Sequence, residues 1–446
     1  MEFFASFKCH VYAYRHNREK MNTNNIKPQK MRNHVRKKLL LAMAAIAVQA
    51  AAIAQVSDWR GPDRTGIFNE TGLMKQWPAD GPAKLWEVTG IGTGYSTVTP
   101  APEALYITGR KETDDVLTSL SYDGKKNWEI AYGKAWDRTY PETRSTPTWV
   151  DGMIYLVSGQ GEIVCVSAKG EKVWSVNHFQ KYGASAPRFG ISESPVYVDG
   201  KIVVTPGGPK AAMVAFDAKT GRVVWETESV NEGAEYVNPL LVQHGGKKII
   251  ITILNKTIIG VNSADGRILW KVNYAGMQSA GLRVNHTITP IYRDGHVFIT
   301  SGYDHVAIKL KLSPDGTSAE VVWKNSDIDT HHGGVVLIGN HLFGSTYQSN
   351  TMGQWSCVDW NTGKTVWTSP WHNKGSVIAA DGMLYLFEEK SGHVGLARPS
   401  AEKLEVVSEF RLPTKSEGPY WAHPVIDKGR LYVRHGDYLA VFNIRN

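Results

Sequence analysis

Ala215-Phe216-Asp217-Ala218-Lys219-Thr220-Gly221-Arg222-Val223-Val224-Trp225 sets an Asp-x-x-Thr-Gly turn four residues ahead of a tryptophan. Glycine supplies the positive φ of a hairpin turn, and the tryptophan falls on the strand face that packs against a neighbouring sheet. The unit recurs. Gly turns or their remnants lead to Trp86, Trp128, Trp174, Trp225, Trp270, Trp323 and Trp367, with Phe410 in the eighth slot, at intervals of 42 to 53 residues. A period in this range, built of short strands with no helical stretch between them, belongs to radial blades rather than to a helical solenoid. Blade five stretches the turn, from Asp315-Gly316 to Trp323, and blade seven drops the glycine.

A second landmark sits inside each blade. Asp151-Gly152, Asp199-Gly200, Asp294-Gly295 and Asp381-Gly382 are each followed by an apolar strand such as Ile154-Tyr155-Leu156-Val157 or Leu384-Tyr385-Leu386-Phe387. Four residues ahead of these turns, or of their equivalents, lies a Pro or Val: Val98, Pro147, Pro195, Pro239, Pro290, Val335, Val377 and Pro424. Eight anchors predict an all-β, eight-bladed β-propeller of four-stranded antiparallel blades over residues 55–446. The blade opened by Pro424 ends before its outer strand, so Lys84-Leu85-Trp86-Glu87-Val88 is expected to complete it. Such closure removes the open edges that invite aggregation.

The formal charge of +8 comes from the first 54 residues, which hold ten Lys and Arg against Glu2 and Glu19. The rest is balanced, so no nucleic-acid partner is expected. Arg36, Lys37 and Lys38 precede the apolar run Leu39 to Val48, and Ala52-Ile53-Ala54 offers a small-x-small cleavage pattern. This reads as a secretory signal peptide over 31–54, with residues 1–30 an upstream misreading of the start at Met31 and the mature chain starting at Gln55. The apolar run is too short for a membrane span. A periplasmic or secreted monomer without a transmembrane anchor is expected. Cys165 and Cys357 occupy the same position in blades on opposite sides of the ring, which predicts two buried free thiols.

The 215–225 pattern, with variants at Val358-Asp359-Trp360-Asn361-Thr362-Gly363 and Val261-Asn262-Ser263-Ala264-Asp265-Gly266, resembles the repeat of pyrroloquinoline-quinone-type propellers over essentially all of 57–444. That superfamily includes the quinoprotein alcohol dehydrogenases and the propeller lipoprotein of the outer-membrane protein assembly machine. The opening Trp59-Arg60-Gly61-Pro62-Asp63-Arg64-Thr65-Gly66 resembles exported bacterial propellers of quinone-binding-like type. The paired His and Trp-Asp signature of WD40 repeats does not recur.

Residues just ahead of the eight anchors are placed around the channel mouth. Three positions ahead stand Tyr95, Arg144, Ser192, Tyr236, Thr287, His332, Lys374 and Trp421; closer in come Ser96, Ser145, Glu193, Asn238, Gly333 and His423. Convergent donors with flat aromatic walls suit a sugar or an anionic small molecule. Arg144, His332 and Lys374 could hold a carboxylate or phosphate, while the same polar residues would also satisfy strand ends and ordered water. His331-His332-Gly333-Gly334 is a conspicuous cluster; neighbours on a regular strand point to opposite faces, so both histidines binding one metal would require an irregular backbone. His286 brings a further imidazole to the rim.

The resemblance implies, for the dehydrogenases, a quinone over the channel with Ca2+ held by Glu, Asn and Asp, capped by a disulfide of neighbouring cysteines. Glu193 and Asn238 fall where the first two ligands would sit. Blade five offers Thr287, Asn285 and His286 where an Asp is wanted, and no adjacent cysteine pair exists. No nucleophile elbow, phosphate loop, zinc-ribbon or haem-attachment spacing occurs either. The expected function is therefore an exported propeller that binds a small polar ligand at its channel mouth, docks envelope proteins, or both, without bound quinone. A quinone-dependent alcohol or sugar dehydrogenase, with PQQ and Ca2+ as cofactors, and an outer-membrane assembly scaffold are the alternatives.

Overall fold

Eight antiparallel sheets, each contributing four strands that run outward from a central channel, form the ring in a computed structural model that describes residues 54–446. The signal-peptide and start-codon readings fall on residues outside these, apart from Ala54. Blade one is made of Thr99–Pro100, Leu105–Lys111, Asp114–Leu120 and Lys126–Lys134. Blade eight is made of Val425–Asp427, Arg430–His435 and Tyr438–Asn443, and Lys84–Val88 supplies its outer strand with Trp86 opposite Val441. The expected closure is thus present. Middle strands such as Met383–Glu388 are buried along their whole length, whereas the outer strand Lys172–Asn177 is largely solvated. The core lies between the faces of adjacent blades, where middle strands are covered on both sides. Cys165 and Cys357 are buried free thiols.

The blade motif works across the seam between blades. Asp217 Oδ1 accepts from the backbone N and Oγ1 of Thr220 at 2.8 and 2.7 Å, and Asp359 treats Thr362 the same way. This side-chain bonding fixes the turn and leaves the next residue, Gly221, at φ +69°. The indole of the preceding blade lies against that glycine: a Cβ on Gly124, Gly170, Gly221, Gly266 or Gly363 would come within 2.4 to 3.0 Å of Trp86, Trp128, Trp174, Trp225 or Trp323 respectively. Each of these indoles also donates Nε1–H to a carbonyl of the same turn, as Trp174 does to Ala218 at 2.9 Å and Trp225 to Ser263 at 3.0 Å. The stretched blade-five turn breaks the series. Gly316 meets Ile249 and His244 instead of an indole, and among the described residues Trp270 Nε1 has no partner.

The channel is not the open pit that the strand pattern suggests. Residues 55–68 enter it from the end where the inner strands finish and turn back inside it. Val56–Ser57 pairs antiparallel with the inner strand of blade two, and Ile67–Phe68 pairs parallel with the inner strand of blade seven. At the tip, Arg60 donates to the carbonyls of Val335 and Val377, and Arg64 to those of Ser194, Pro195 and Pro239. Four of the eight anchor carbonyls, at 195, 239, 335 and 377, are thereby satisfied. Innermost strands expose unpaired backbone groups to the channel, and a guanidinium with its five donors can serve several at once. Asp58 pairs with Arg64 at 2.7 Å and balances one of the two buried charges.

Gly221→Ala and Gly200→Ala test the seam. Both positions have positive φ, but a Cβ at Gly200 meets nothing within 4 Å. Each substitution should cost about 1–2 kcal/mol for the left-handed backbone, and Gly221→Ala a further 1–3 kcal/mol, roughly, for displacing Trp174. Thermal unfolding should therefore rank Gly221→Ala below Gly200→Ala; equal midpoints would mean the glycine–indole contact is slack.

Candidate functional site

Above the tip of the inserted hairpin the channel widens into a cavity of about 330 Å³. Trp59 is in its floor, tilted at 57° against His423 with ring centres 4.6 Å apart and donating Nε1–H to Thr289 Oγ1. The wall is a continuous aromatic series: Tyr95 and Tyr140 contact Trp421 at 5.0 and 5.4 Å, Tyr140 contacts Phe189 at 5.9 Å, and Phe189 contacts Tyr236 at 6.1 Å. Arg144 lies over the Tyr95 ring and is steadied by the carbonyls of Tyr140 and Glu142. Arg283, Asn238, Asn285, Ser192 and Thr287 add to the polar lining, with Asn350 and Thr351.

Of the residues read from the sequence, Tyr95, Arg144, Tyr236, Asn238, His331, His332, Trp421 and His423 share this cavity. Glu193, His286 and Lys374 do not line it, and for each the reason is a buried group finding a nearer partner. Both carboxylate oxygens of Glu193 accept from Thr205, one from its N–H and one from its hydroxyl, each at 3.0 Å. The ring nitrogens of His286 are taken by Ser301 Oγ and the Asn255 carbonyl, and its backbone N–H goes to Glu235. Lys374 is fully buried; its amine meets Glu389 at 2.7 Å and the carbonyls of Ser349 and Asn350. A second buried acid, Glu389, stands behind His331.

Tyr140, Phe189, Arg283 and Tyr303 were not among the sequence candidates. They sit on the long connections between blades or between strands, which carry no period. Trp59 belongs to a segment legible as a motif but not as a floor.

Hydrogen bonding assigns the histidine at the base of the cavity. Arg60 can only donate, so His423 Nδ1 accepts from Arg60 Nη1 at 2.8 Å and its Nε2–H donates to the His332 carbonyl at 2.8 Å. Burial first, then the Arg60 charge, hold His423 well below the usual imidazole range. Burial, reinforced by Lys374 and Arg144, holds His332 down at about 3, and burial, with His332 and Lys374 adding to it, holds His331 well below the usual imidazole range. All three imidazoles are neutral at pH 7. Positive charge in the cavity lining therefore comes from Arg144 and Arg283, while the histidines offer neutral ring nitrogens.

The donors do not match a calcium-bound quinone. Such a site needs a hard oxygen set with carboxylates turned to the ion. Here Glu193 faces Thr205 rather than the cavity, Asn238 Oδ1 accepts the Ser194 N–H, and blade five presents Thr287 and Asn285 without a carboxylate.

Glu193 has a measurable signature of its own. Burial, only partly offset by the Thr205 bonds, pushes its carboxyl from 4.5 up to about 7. The folded protein therefore binds this proton more tightly than the unfolded chain. The stability the group contributes is full below about pH 4.5 and lost as pH rises through about 7. Glu193→Gln removes that dependence, so the variant should gain on the wild type by up to about 3 kcal/mol between pH 5 and pH 8. A difference in Tm that stays flat across this range would place the ionised form in the fold at low pH.

A serine/threonine-protein kinase, AfsK, of Streptomyces griseus is 29% identical over 191 residues, a match spanning 41% of this chain and 22% of the kinase. Outer membrane protein assembly factor BamB of Yersinia pestis is 20% identical over 284 residues, 61% of this chain and 67% of that protein. The chain thus covers about a fifth of the kinase and about two thirds of the assembly factor. The crystal structure of BamB from Moraxella catarrhalis superposes with a TM-score of 0.59 at 12% identity, covering 81% of this chain and 99% of that one, a likeness of fold. The family model described as outer membrane protein assembly factor BamB matches residues 78–369, well over half of the sequence, and the chain belongs to that family of quinoprotein-like propellers.

Proposed function

We propose that the chain is an exported propeller that binds a small polar ligand, a sugar or an anionic metabolite, in the mouth cavity. The observation that carries this reading is the pairing of Arg144 and Arg283 with an aromatic wall in a cavity whose floor is sealed by Trp59. A volume of about 330 Å³ falls at the small end of ligand pockets, the size of a single sugar ring or a dicarboxylate. Flat aromatic faces stack on the apolar face of a sugar, and an arginine grips a carboxylate bidentately. The basic and apolar leader supports export, and no helix among the described residues is long and apolar enough to cross a membrane.

Docking of envelope proteins is the companion reading. It is favoured by membership of a family named for outer-membrane protein assembly. Leu85, Val173, Val224, Val322 and Val366, each one residue ahead of a blade tryptophan, are 39% to 50% exposed on the outer strands and offer apolar contacts there. A quinone-dependent oxidoreductase draws no support from the donors described above; reconstitution with quinone and calcium followed by dye reduction tests it directly.

Calorimetric titration with neutral hexoses, uronates and small dicarboxylates should find at least one binder. Arg144→Gln should weaken an anionic ligand by about tenfold or more, about 1.4 kcal/mol, while sparing neutral sugars. Trp421→Ala should weaken both classes. A panel without a binder, or binding unchanged in both variants, would remove the cavity from the function and leave docking. N-terminal sequencing of the exported chain is expected to begin at Gln55.

A further inference from the structure

His331 is 2% exposed, and its Nδ1 has no hydrogen-bond partner among the described residues; neither has Nδ1 of His332. An imidazole nitrogen buried without a partner is disfavoured, and two stand side by side here. The rings are 3.6 Å apart at 38°, an arrangement a regular strand forbids. Residues 331–333 form a bend ahead of the inner strand Val336–Ile338, so the alternation does not apply. One ligand atom from each histidine and one oxygen of Glu389 all lie within 4.8 Å of one another, with His331 Nδ1 4.0 Å from Glu389 Oε2.

We propose that His331 Nδ1, His332 Nδ1 and Glu389 Oε2 hold one divalent transition-metal cation of the Zn2+ class on the wall of the mouth cavity. Both histidines line that cavity, and Glu389 lies behind His331. Two imidazoles and a carboxylate with one position open is a donor set that suits zinc, and it is too poor in oxygen for Ca2+ or Mg2+. Bonds of about 2.0–2.2 Å put tetrahedral ligand atoms about 3.4 Å apart, so the three groups need only close slightly. The outer groups agree. Tyr303 OH lies 2.8 Å from His331 Nε2; a metal on the Nδ1 lone pair puts the ring proton on Nε2, where the tyrosine oxygen is placed to accept it. Lys374 is held on the other carboxylate oxygen, Oε1, by its contacts with Ser349 and Asn350, so Glu389 bridges the lysine and the cation.

A second grouping, His372, His393 and Glu409, lies on the surface, and there Trp371 and His372 already occupy both Glu409 oxygens. It serves as the control. The site stands independently of the ligand reading, because the probe is the metal alone.

The full chain, stripped with EDTA and titrated with Zn2+ against a chromophoric chelator, should bind one tight equivalent. His331→Ala, His332→Ala and Glu389→Gln should each weaken it at least about tenfold, and Tyr303→Phe by about tenfold through loss of orientation. His372→Ala should leave it unchanged. Co2+ should give a visible absorption band that His331→Ala abolishes. If an alanine variant does not fold by circular dichroism, Glu389→Gln and Tyr303→Phe decide. Absence of a tight equivalent, retention of it in these variants, or its loss in His372→Ala would overturn the proposal. Loss of sugar or anion binding with zinc retained would bear on the ligand reading alone.

Discussion

A propeller's innermost strands leave a column of backbone carbonyls facing the channel, and satisfying them governs how this channel is built. Arg60 and Arg64 do so from within, reaching anchor carbonyls of blades three, four, six and seven. Both guanidiniums are nearly inaccessible, and burial draws Arg60 down to about 9, which leaves it charged at neutral pH. Distributing that charge over several carbonyls makes its burial tolerable. The hairpin that carries the arginines also sets the depth of the cavity, because Trp59 sits at its tip.

The same constraint explains the glycines after the histidine pair. A Cβ on Gly334 would come within 2.2 Å of the Arg60 guanidinium, and one on Gly333 would meet the Gly375 carbonyl. Gly334 is in the left-handed region as well. These residues are small because the inserted arginine and the neighbouring blade need the space, and the bend they permit lets His331 and His332 lie together. Scaffold and site are built from the same contacts, with His423 linking Arg60 to the His332 carbonyl.

The ring was legible because its signal repeats. Indole, glycine and aspartate each answer a local requirement at every seam, and the position of Trp86 with no sheet of its own required closure with the last blade. Mouth residues were legible as far as the period reaches: a side chain three positions ahead of an anchor enters the rim. That rule fails for Lys374, which is in register but turns to Glu389 because a buried amine seeks a carboxylate. It misses Glu389 itself, which follows the second strand of blade seven and returns to the same rim. Residues 59–66 of the inserted hairpin are recognisable as a motif, yet nothing in a single non-repeating segment says that it lies inside the ring. Tyr140, Phe189 and Arg283 come from connections whose length and course are set by tertiary contacts.

Trp86 and Val441 face each other across a join separated by almost the whole chain. Bringing such distant segments together requires most of the intervening loop entropy to be surrendered first, so a ring joined this way gains its last sheet late and slowly. Until that join forms, blade eight shows an unpaired strand along Tyr438–Asn443. The nascent molecule is therefore most exposed to strand exchange with another copy at the latch, far from the half of the ring that carries the blade-four to blade-five irregularity.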